Sequence, residues 1–99
     1  MEIKKEQNGE NLKISLIGRL DAVTATNLDK VVQNDLTGIK DLVMDFKELV
    51  YVASAGLRVL LMAQKKMNKQ GSMKIINVSD DVKDVFDMTG FLDFLNIEE

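Results

Sequence analysis

Apolar and polar residues alternate near the beginning of the chain. In residues 11–18 the apolar positions Leu12, Ile14 and Leu16 recur at every second residue, which predicts a half-buried β-strand. The charged residues 3–7 predict an exposed edge strand, and the Asn8-Gly9 pair is typical of a hairpin turn. We therefore expect the chain to begin with a β-hairpin.

Three later segments have the spacing of amphipathic helices. Apolar side chains recur every three or four positions in residues 22–36, in residues 54–70 and again between residues 79 and 90. Asp21 or Thr24 is the expected N-cap of the first helix, because short polar side chains accept hydrogen bonds from the first free N–H groups.

Two further strands separate these helices. The short apolar run 42–46 is typical of a strand that is covered on both faces, and residues 73–77 predict another strand. We expect residues 47–53 to form a loop and residues 91–97 to pack as a short turn, helix or strand. The order β-β-α-β-α-β-α predicts right-handed crossovers and a single α/β domain, residues 1–99, with a mixed, mostly parallel sheet of four to five strands and helices packed against it.

Composition excludes several classes of function. The 99 residues include no cysteine and no histidine, so thiolate metal sites, disulfides and the commonest general base are absent. The net charge of −3 is spread along the chain without a basic face for nucleic acid. No apolar run approaches the ~20 residues of a membrane span, and the N-terminus lacks the apolar core of a signal peptide. We expect a cytoplasmic protein that is not an enzyme and needs no cofactor.

Ser54 is the most informative candidate for function. It begins the second predicted helix, and the small residues Ala53, Ala55 and Gly56 around it allow another chain to approach closely. In one interpretation Ser54 lies at or beside the N-cap and only caps the helix, a contribution of ~1 kcal/mol, while Gly56 is a packing residue. In the other, Ser54 accepts a phosphate, which a helix N-terminus tolerates and which changes the surface that a partner meets.

Three charged residues have two interpretations each. Asp21 is either a helix cap or a contact with a partner, and Arg58 is either a solvated side chain or part of a docking surface. Asp45 ends a predicted central strand, where receiver domains carry their phosphorylated aspartate. Those domains also need an acidic pair after the first strand, and residues 11–21 contain none before Asp21. We therefore expect Asp45 to be structural.

Methionine and phenylalanine positions indicate where the core lies. Met44, Met62 and Met67 fall on strand or helix patterns and are expected to fill the core. Near the C-terminus, four more apolar residues either pack or leave a patch for a partner or a weak homodimer: Phe86, Met88, Phe91 and Phe94.

Three short strings, in this order and spacing, resemble the STAS domain family, specifically the bacterial anti-sigma factor antagonists. The strings are Gly18-Arg19-Leu20-Asp21, Tyr51-Val52-Ala53-Ser54-Ala55-Gly56-Leu57-Arg58-Val59-Leu60-Leu61 and Val85-Phe86-Asp87-Met88-Thr89-Gly90. The resemblance covers nearly the whole chain. It implies a partner-switching regulator of transcription.

The resemblance also implies partners and site residues. Unphosphorylated members of the family bind an anti-sigma factor that is itself a serine kinase, which releases the sigma factor. The kinase phosphorylates the serine two positions before the glycine, which matches Ser54, and a serine phosphatase resets the switch. Asp21 matches an acidic residue beside this site. Family members commonly have Asp or Ser where this chain has Ala53.

The expected partner-binding residues are Asp21, Ala53, Ala55, Gly56 and Arg58. The alternative function is a STAS domain that does not switch, either as a scaffold or as an accessory subunit of a transporter or a stress-signalling complex.

Overall fold

The computed structural model describes residues 1–98 as four β-strands, three α-helices and one short 3-10 helix. The strands are β1 (Glu2–Asn8), β2 (Asn11–Leu20), β3 (Asp41–Val52) and β4 (Ser72–Ile76). The α-helices are α1 (Ala22–Asp35), α2 (Ser54–Gln70) and α3 (Asp80–Met88), and the 3-10 helix spans Phe91–Asp93. The order of elements is the one that the hydrophobic pattern predicts, so the α/β class is confirmed.

The four strands form one mixed sheet in the order β1-β2-β3-β4. β1 is antiparallel to β2, whereas β2, β3 and β4 run parallel to one another. Gly9 and Glu10 form the turn between β1 and β2, and Gly9 has a φ of 63°, which glycine adopts without steric cost. The predicted hairpin and the predicted, mostly parallel sheet are confirmed.

β3 is longer than the sequence indicates, because it continues through residues 47–52, which we expected to form a loop. Its pairing with β2 contains two irregularities, one after Asp45 and one after Leu49, and at each of them β3 has one residue more than β2. Each β-bulge resets the alternation of side chains. The buried positions Phe46, Leu49 and Val52 therefore lie three residues apart. The loop prediction was wrong because this spacing hides the period of two.

The core lies between the helices and one face of the sheet. Phe46 of β3 packs near Phe86 of α3, with 6.4 Å between the ring centroids. Alternate residues of β2 and β3 point into this core together with the apolar sides of α1 and α2; they include Leu12, Ile14, Leu16, Leu42, Met44, Ala25, Leu28, Val32, Leu57, Leu60 and Ala63.

The other face of the sheet is open, so the prediction that β3 is covered on both faces was wrong. Asp45 lies on this face, inside β3 rather than at its end. It accepts hydrogen bonds from Asn77 Nδ2 and from the Lys47 backbone N–H, both at 3.0 Å, and its carboxylate lies 3.6 Å from Lys13 Nζ. Burial acts to raise the pKa of Asp45, but these donors and Lys13 outweigh it and lower the pKa. Asp45 therefore has the structural role that we expected.

Methionines and phenylalanines divide between core and surface. Met44 and Met67 are buried as predicted, but the prediction for Met62 was wrong, because its side chain is 44% exposed. Phe86 is fully buried, and Phe91 is half-buried. Met88 and Phe94 are exposed.

The C-terminal segment lies along the free edge of β4. Ile97 forms a parallel bridge with Ile75, and the Asn96 backbone N–H donates to Oε1 of the buried Gln64 at 3.2 Å. This segment covers part of the edge of β4. An uncovered strand edge is prone to pairing with other chains. The expectation of a short packed element at residues 91–97 is confirmed.

Candidate functional site

The candidate site lies where β2 and β3 end, at the edge of the sheet that is formed by the C-terminal ends of these strands. Asp21 follows the last residue of β2, and Ala53 follows the last residue of β3. The Ala53 backbone N–H donates to the Leu20 carbonyl oxygen at 2.8 Å, which ties the two strand ends together. Because the strands are parallel, the N-termini of α1 and α2 lie at the same edge. The structure thus brings Asp21 and Ser54 to one edge of the molecule.

Ser54 is the first residue of α2, and its side chain is exposed. Ala53 occupies the N-cap position, and no side chain caps this end of the helix. The Ser54 hydroxyl makes no hydrogen bond within residues 1–98. Ser54 therefore lies beside the N-cap, as predicted, but it does not cap α2, so the capping interpretation was wrong. The hydroxyl is open to solvent.

Asp21 is the N-cap of α1, one of the two residues predicted for that role. Its Oδ1 atom accepts from the backbone N–H groups of Val23 (3.0 Å) and Thr24 (2.9 Å). The Asp21 N–H donates in return to Thr24 Oγ1 at 2.8 Å, which completes a capping box. The hydrogen bond from the Thr24 N–H is the main cause of the lowered pKa of Asp21, followed by that from the Thr24 hydroxyl, with a smaller electrostatic contribution from Arg19. A fixed, ionised carboxylate therefore lies at this edge.

The residues after Ser54 differ in their accessibility. Ala55 is half-buried, Gly56 and Leu57 are buried, and Arg58 is exposed. A Cβ atom on residue 56 would lie only 2.5 Å from Leu20 Cγ. The structure therefore favours the packing interpretation for Gly56 over direct contact with a partner, whereas Ala55 and Arg58 remain accessible.

A shallow groove of about 260 Å³ runs between α1 and α2 and includes Ala55, the residue after Ser54. Ala55, Arg58 and Met62 of α2 line one side, and Thr26 and Asp29 of α1 lie on the other. The sequence did not indicate that Met62 contributes to this surface, because the helical spacing places it near the buried stripe. The groove combines an apolar floor with one charge of each sign.

Arg19 and Tyr51 form a pair that the sequence did not predict. The guanidinium carbon of Arg19 lies 4.2 Å from the centroid of the Tyr51 ring, a cation–π contact. The two residues are opposite each other because of the second bulge in β3. Without that bulge Val50 would face Arg19. No local signal in the sequence could have revealed the pair.

Other features of the described residues add no chemistry to this site. A concavity of about 610 Å³ on the open face of the sheet lies near Asn11 and Asp41, where β2 and β3 begin, at the opposite end from Ser54. Residues 1–98 contain no group of three or more acidic side chains that is arranged to hold a metal ion. Within the same residues, no helix combines the length and the apolar character that crossing a bilayer requires.

Comparison with known families gives a match along the chain. The family model described as the STAS domain matches residues 2–99. The anti-sigma-B factor antagonist of Bacillus subtilis strain 168 is 31% identical over 99 residues, which is 98% of this chain and 90% of that protein. BtrV of Bordetella bronchiseptica is 35% identical over 75 residues, covering 75% of this chain but only 59% of its own length.

Solved structures show the same fold. The anti-sigma factor antagonist SpoIIAA in its unphosphorylated form superposes with a TM-score of 0.82 at 20% identity, over 99% of this chain and 89% of that one. The phosphorylated form of Bacillus SpoIIAA gives a TM-score of 0.68 at 17% identity, over 99% of this chain and 92% of that one. At these identities the comparison supports the fold alone.

Proposed function

Since the chain belongs to the STAS domain family, with anti-sigma factor antagonists among its relatives, we propose that it is an anti-sigma factor antagonist switched by phosphorylation of Ser54. In this proposal the unphosphorylated chain binds an anti-sigma factor serine kinase and so releases the sigma factor. Phosphorylation ends the interaction, and a serine phosphatase restores it. The protein acts by binding, not as an enzyme, and it works in the bacterial cytoplasm.

The exposed, unbonded hydroxyl of Ser54 carries this proposal. In the transfer step the hydroxyl oxygen forms a bond to the γ-phosphorus of ATP while the bond from that phosphorus to ADP breaks. The proton of the hydroxyl passes to a base on the kinase. A serine whose oxygen capped the helix would first have to give up its hydrogen bond, whereas Ser54 has none to lose.

The same position explains how a phosphate can switch binding without unfolding the chain. A phosphate adds about −1.5 to −2 charge at neutral pH. The first N–H groups of α2 lack an acceptor from a side chain, and the helix dipole favours an anion at this end. The new charge also joins the ionised Asp21 at one edge of the sheet. A partner that fits the uncharged hydroxyl there then meets a strongly negative surface.

Asp21, Ala53, Ala55 and Arg58 form the docking surface in this proposal. They surround Ser54 at the start of α2 and at the adjoining end of β2. The side chain of Ala53 offers neither a carboxylate nor a hydroxyl directly before the serine. A kinase of this chain therefore recognises the hydroxyl without a polar neighbour on its N-terminal side.

Phosphate transfer tests the assignment of the acceptor. The chain is used as bait to recover its serine kinase from a cell extract, and the purified pair is incubated with ATP. Intact mass and fragmentation spectra should show one phosphate on Ser54 and none on the Ser54→Ala variant. Ser79→Ala is the matched control, because Ser79 is also exposed and also lies at a helix N-terminus. Equal labelling of Ser54→Ala and the parent chain contradicts the assignment.

Binding tests the switch itself. Ser54→Asp places a negative charge on the docking surface and should raise the Kd for the kinase about tenfold or more. A tenfold change corresponds to about 1.4 kcal/mol of binding free energy. Ser54→Asn controls for size without charge and should bind more tightly than Ser54→Asp. If all three chains bind equally well, the alternative of a scaffold or accessory subunit that does not switch is favoured.

A further inference from the structure

Arg58 occupies a position that relates it directly to Ser54. The two residues lie four apart in α2, so they share one face of the helix, with about 5–6 Å between Cβ atoms at this spacing. Gly56 and Leu57, between them, are buried, whereas Ser54 and Arg58 are both exposed. The first two turns of α2 therefore present the serine and the arginine together to solvent.

Arg58 has no competing partner that would hold it elsewhere. Within the described part of the chain it forms no ion pair, and α2 has no acidic residue in its first turn. Its side chain lines the groove between α1 and α2, opposite Asp29. The guanidinium is thus a cation of the docking surface whose donors are available to a new anion.

We infer that Arg58 is the internal partner of a phosphate on Ser54. The guanidinium presents its donors in a planar fork that matches phosphate oxygens, and an anion four residues before a cation is the favourable orientation on a helix. This inference rests on the proposed phosphorylation of Ser54 and adds a second effect to it. The phosphate brings negative charge to the surface and also draws Arg58 toward the helix N-terminus, out of the groove.

Arg19 is the other cation near this edge of the sheet, and it provides a matched control. Its guanidinium already lies on the Tyr51 ring, at 4.2 Å from the centroid. It also belongs to β2 rather than to α2. If the phosphate responded only to the total positive charge nearby, its second pKa would change on substitution of either arginine. If it forms a specific pair, its second pKa depends on Arg58 alone.

A titration of the phosphate tests the pair without any kinase. Phosphoserine is incorporated at position 54 during synthesis of the full chain, and the pH dependence of its 31P NMR signal is measured. The second ionisation of phosphoserine has a pKa of about 6. Arg58→Gln should raise this pKa by about 0.2 to 0.7 pH unit, as for a partly screened ion pair at the surface. Arg58→Lys should raise it less.

Two further measurements separate a specific pair from a general effect of charge. Arg19→Gln should leave the pKa of the phosphate unchanged, and 1 M salt should reduce the difference between the parent and Arg58→Gln. The inference is overturned if Arg58→Gln titrates like the parent or if Arg19→Gln has the larger effect. Because the phosphate is installed during synthesis, this outcome does not depend on whether a kinase modifies Ser54, and the two proposals can fail separately.

Discussion

A Cβ atom on residue 56 would lie 2.5 Å from Leu20 Cγ and 2.7 Å from Leu20 Cδ2. Gly56 therefore lets the first turn of α2 pack directly against the end of β2. Leu20 is fully buried and cannot move aside into solvent. This contact positions Ser54, two residues earlier, at the edge of the sheet beside Asp21.

Gly56→Ala should destabilise the fold. The gain in helix propensity is at most about 1 kcal/mol, whereas overpacking a core costs about 1–3 kcal/mol, so we expect a net loss of roughly 1 kcal/mol. Urea unfolding measures the effect. In a Leu20→Ala background the clash with the side chain is removed and only the 3.3 Å approach to the residue 20 carbonyl oxygen is left, so the same substitution should then cost less. An equal loss in both backgrounds would show that Leu20 is not the cause.

Ala53→Asp should stabilise the chain. Ala53 already has the extended backbone of an N-cap, with φ −92° and ψ 167°, but no acceptor in its side chain. An aspartate there can accept from the free N–H groups of the first turn, which is worth about 1 kcal/mol. Thermal unfolding should show a higher midpoint for Ala53→Asp than for the parent. Ala53→Val lacks the acceptor and serves as control; a similar gain for that variant would contradict the explanation.

Ser54→Ala should leave stability almost unchanged. The hydroxyl makes no hydrogen bond in the described structure, so we expect a change within about 0.5 kcal/mol. Ser79 offers a direct comparison, because its Oγ accepts from the Val82 N–H at 3.3 Å and caps α3. Ser79→Ala should cost about 1 kcal/mol. A large loss in Ser54→Ala by urea unfolding would mean that the hydroxyl has a structural partner.

Stability should fall on acidification, partly through Asp21 and Asp45. The pKa of each carboxyl is lowered in the folded chain below the ordinary value of 3.8. Each carboxylate therefore stabilises the fold above pH 3.8, and this stabilisation is lost as the pH falls through the lower pKa of the folded state. Urea midpoints at pH 7 and near pH 3 measure the loss.

Asp21→Asn and Asp45→Asn keep an acceptor at each position but cannot titrate. The double variant should lose less stability than the parent between the two pH values. If its loss on acidification equals that of the parent, other carboxylates account for the acid sensitivity.

Several features of the site follow from local sequence. Ser54 was expected beside a helix N-cap and lies there, because the apolar spacing of residues 54–70 identifies the helix and its start. Asp21 was one of two expected caps of α1, with Thr24, because short polar side chains at the start of an amphipathic segment accept hydrogen bonds from the first free N–H groups, and Asp21 is the N-cap. Both signals depend only on neighbours along the chain.

Two errors in the sequence-based expectations share one origin. The loop expected at residues 47–53 is the second half of β3, because two bulges change the spacing of its buried residues. Met62 was expected in the core but lines the groove between α1 and α2. A bulge in a strand and the exposure of a side chain between two helices both depend on the neighbouring element, which the sequence of a single segment does not specify.

The sequence by itself determined the type and order of the elements, two candidates for the N-cap of α1, and the serine at the start of α2. These features follow from the periodicity and the capping chemistry of adjacent residues. Only the tertiary structure decided that Arg19 lies on Tyr51, that Gly56 packs on Leu20, and that the Ser54 hydroxyl remains unbonded. The two contacts join residues far apart in the chain, so they arise only when strand register and helix packing are set together, and the same packing decides which groups surround the Ser54 hydroxyl.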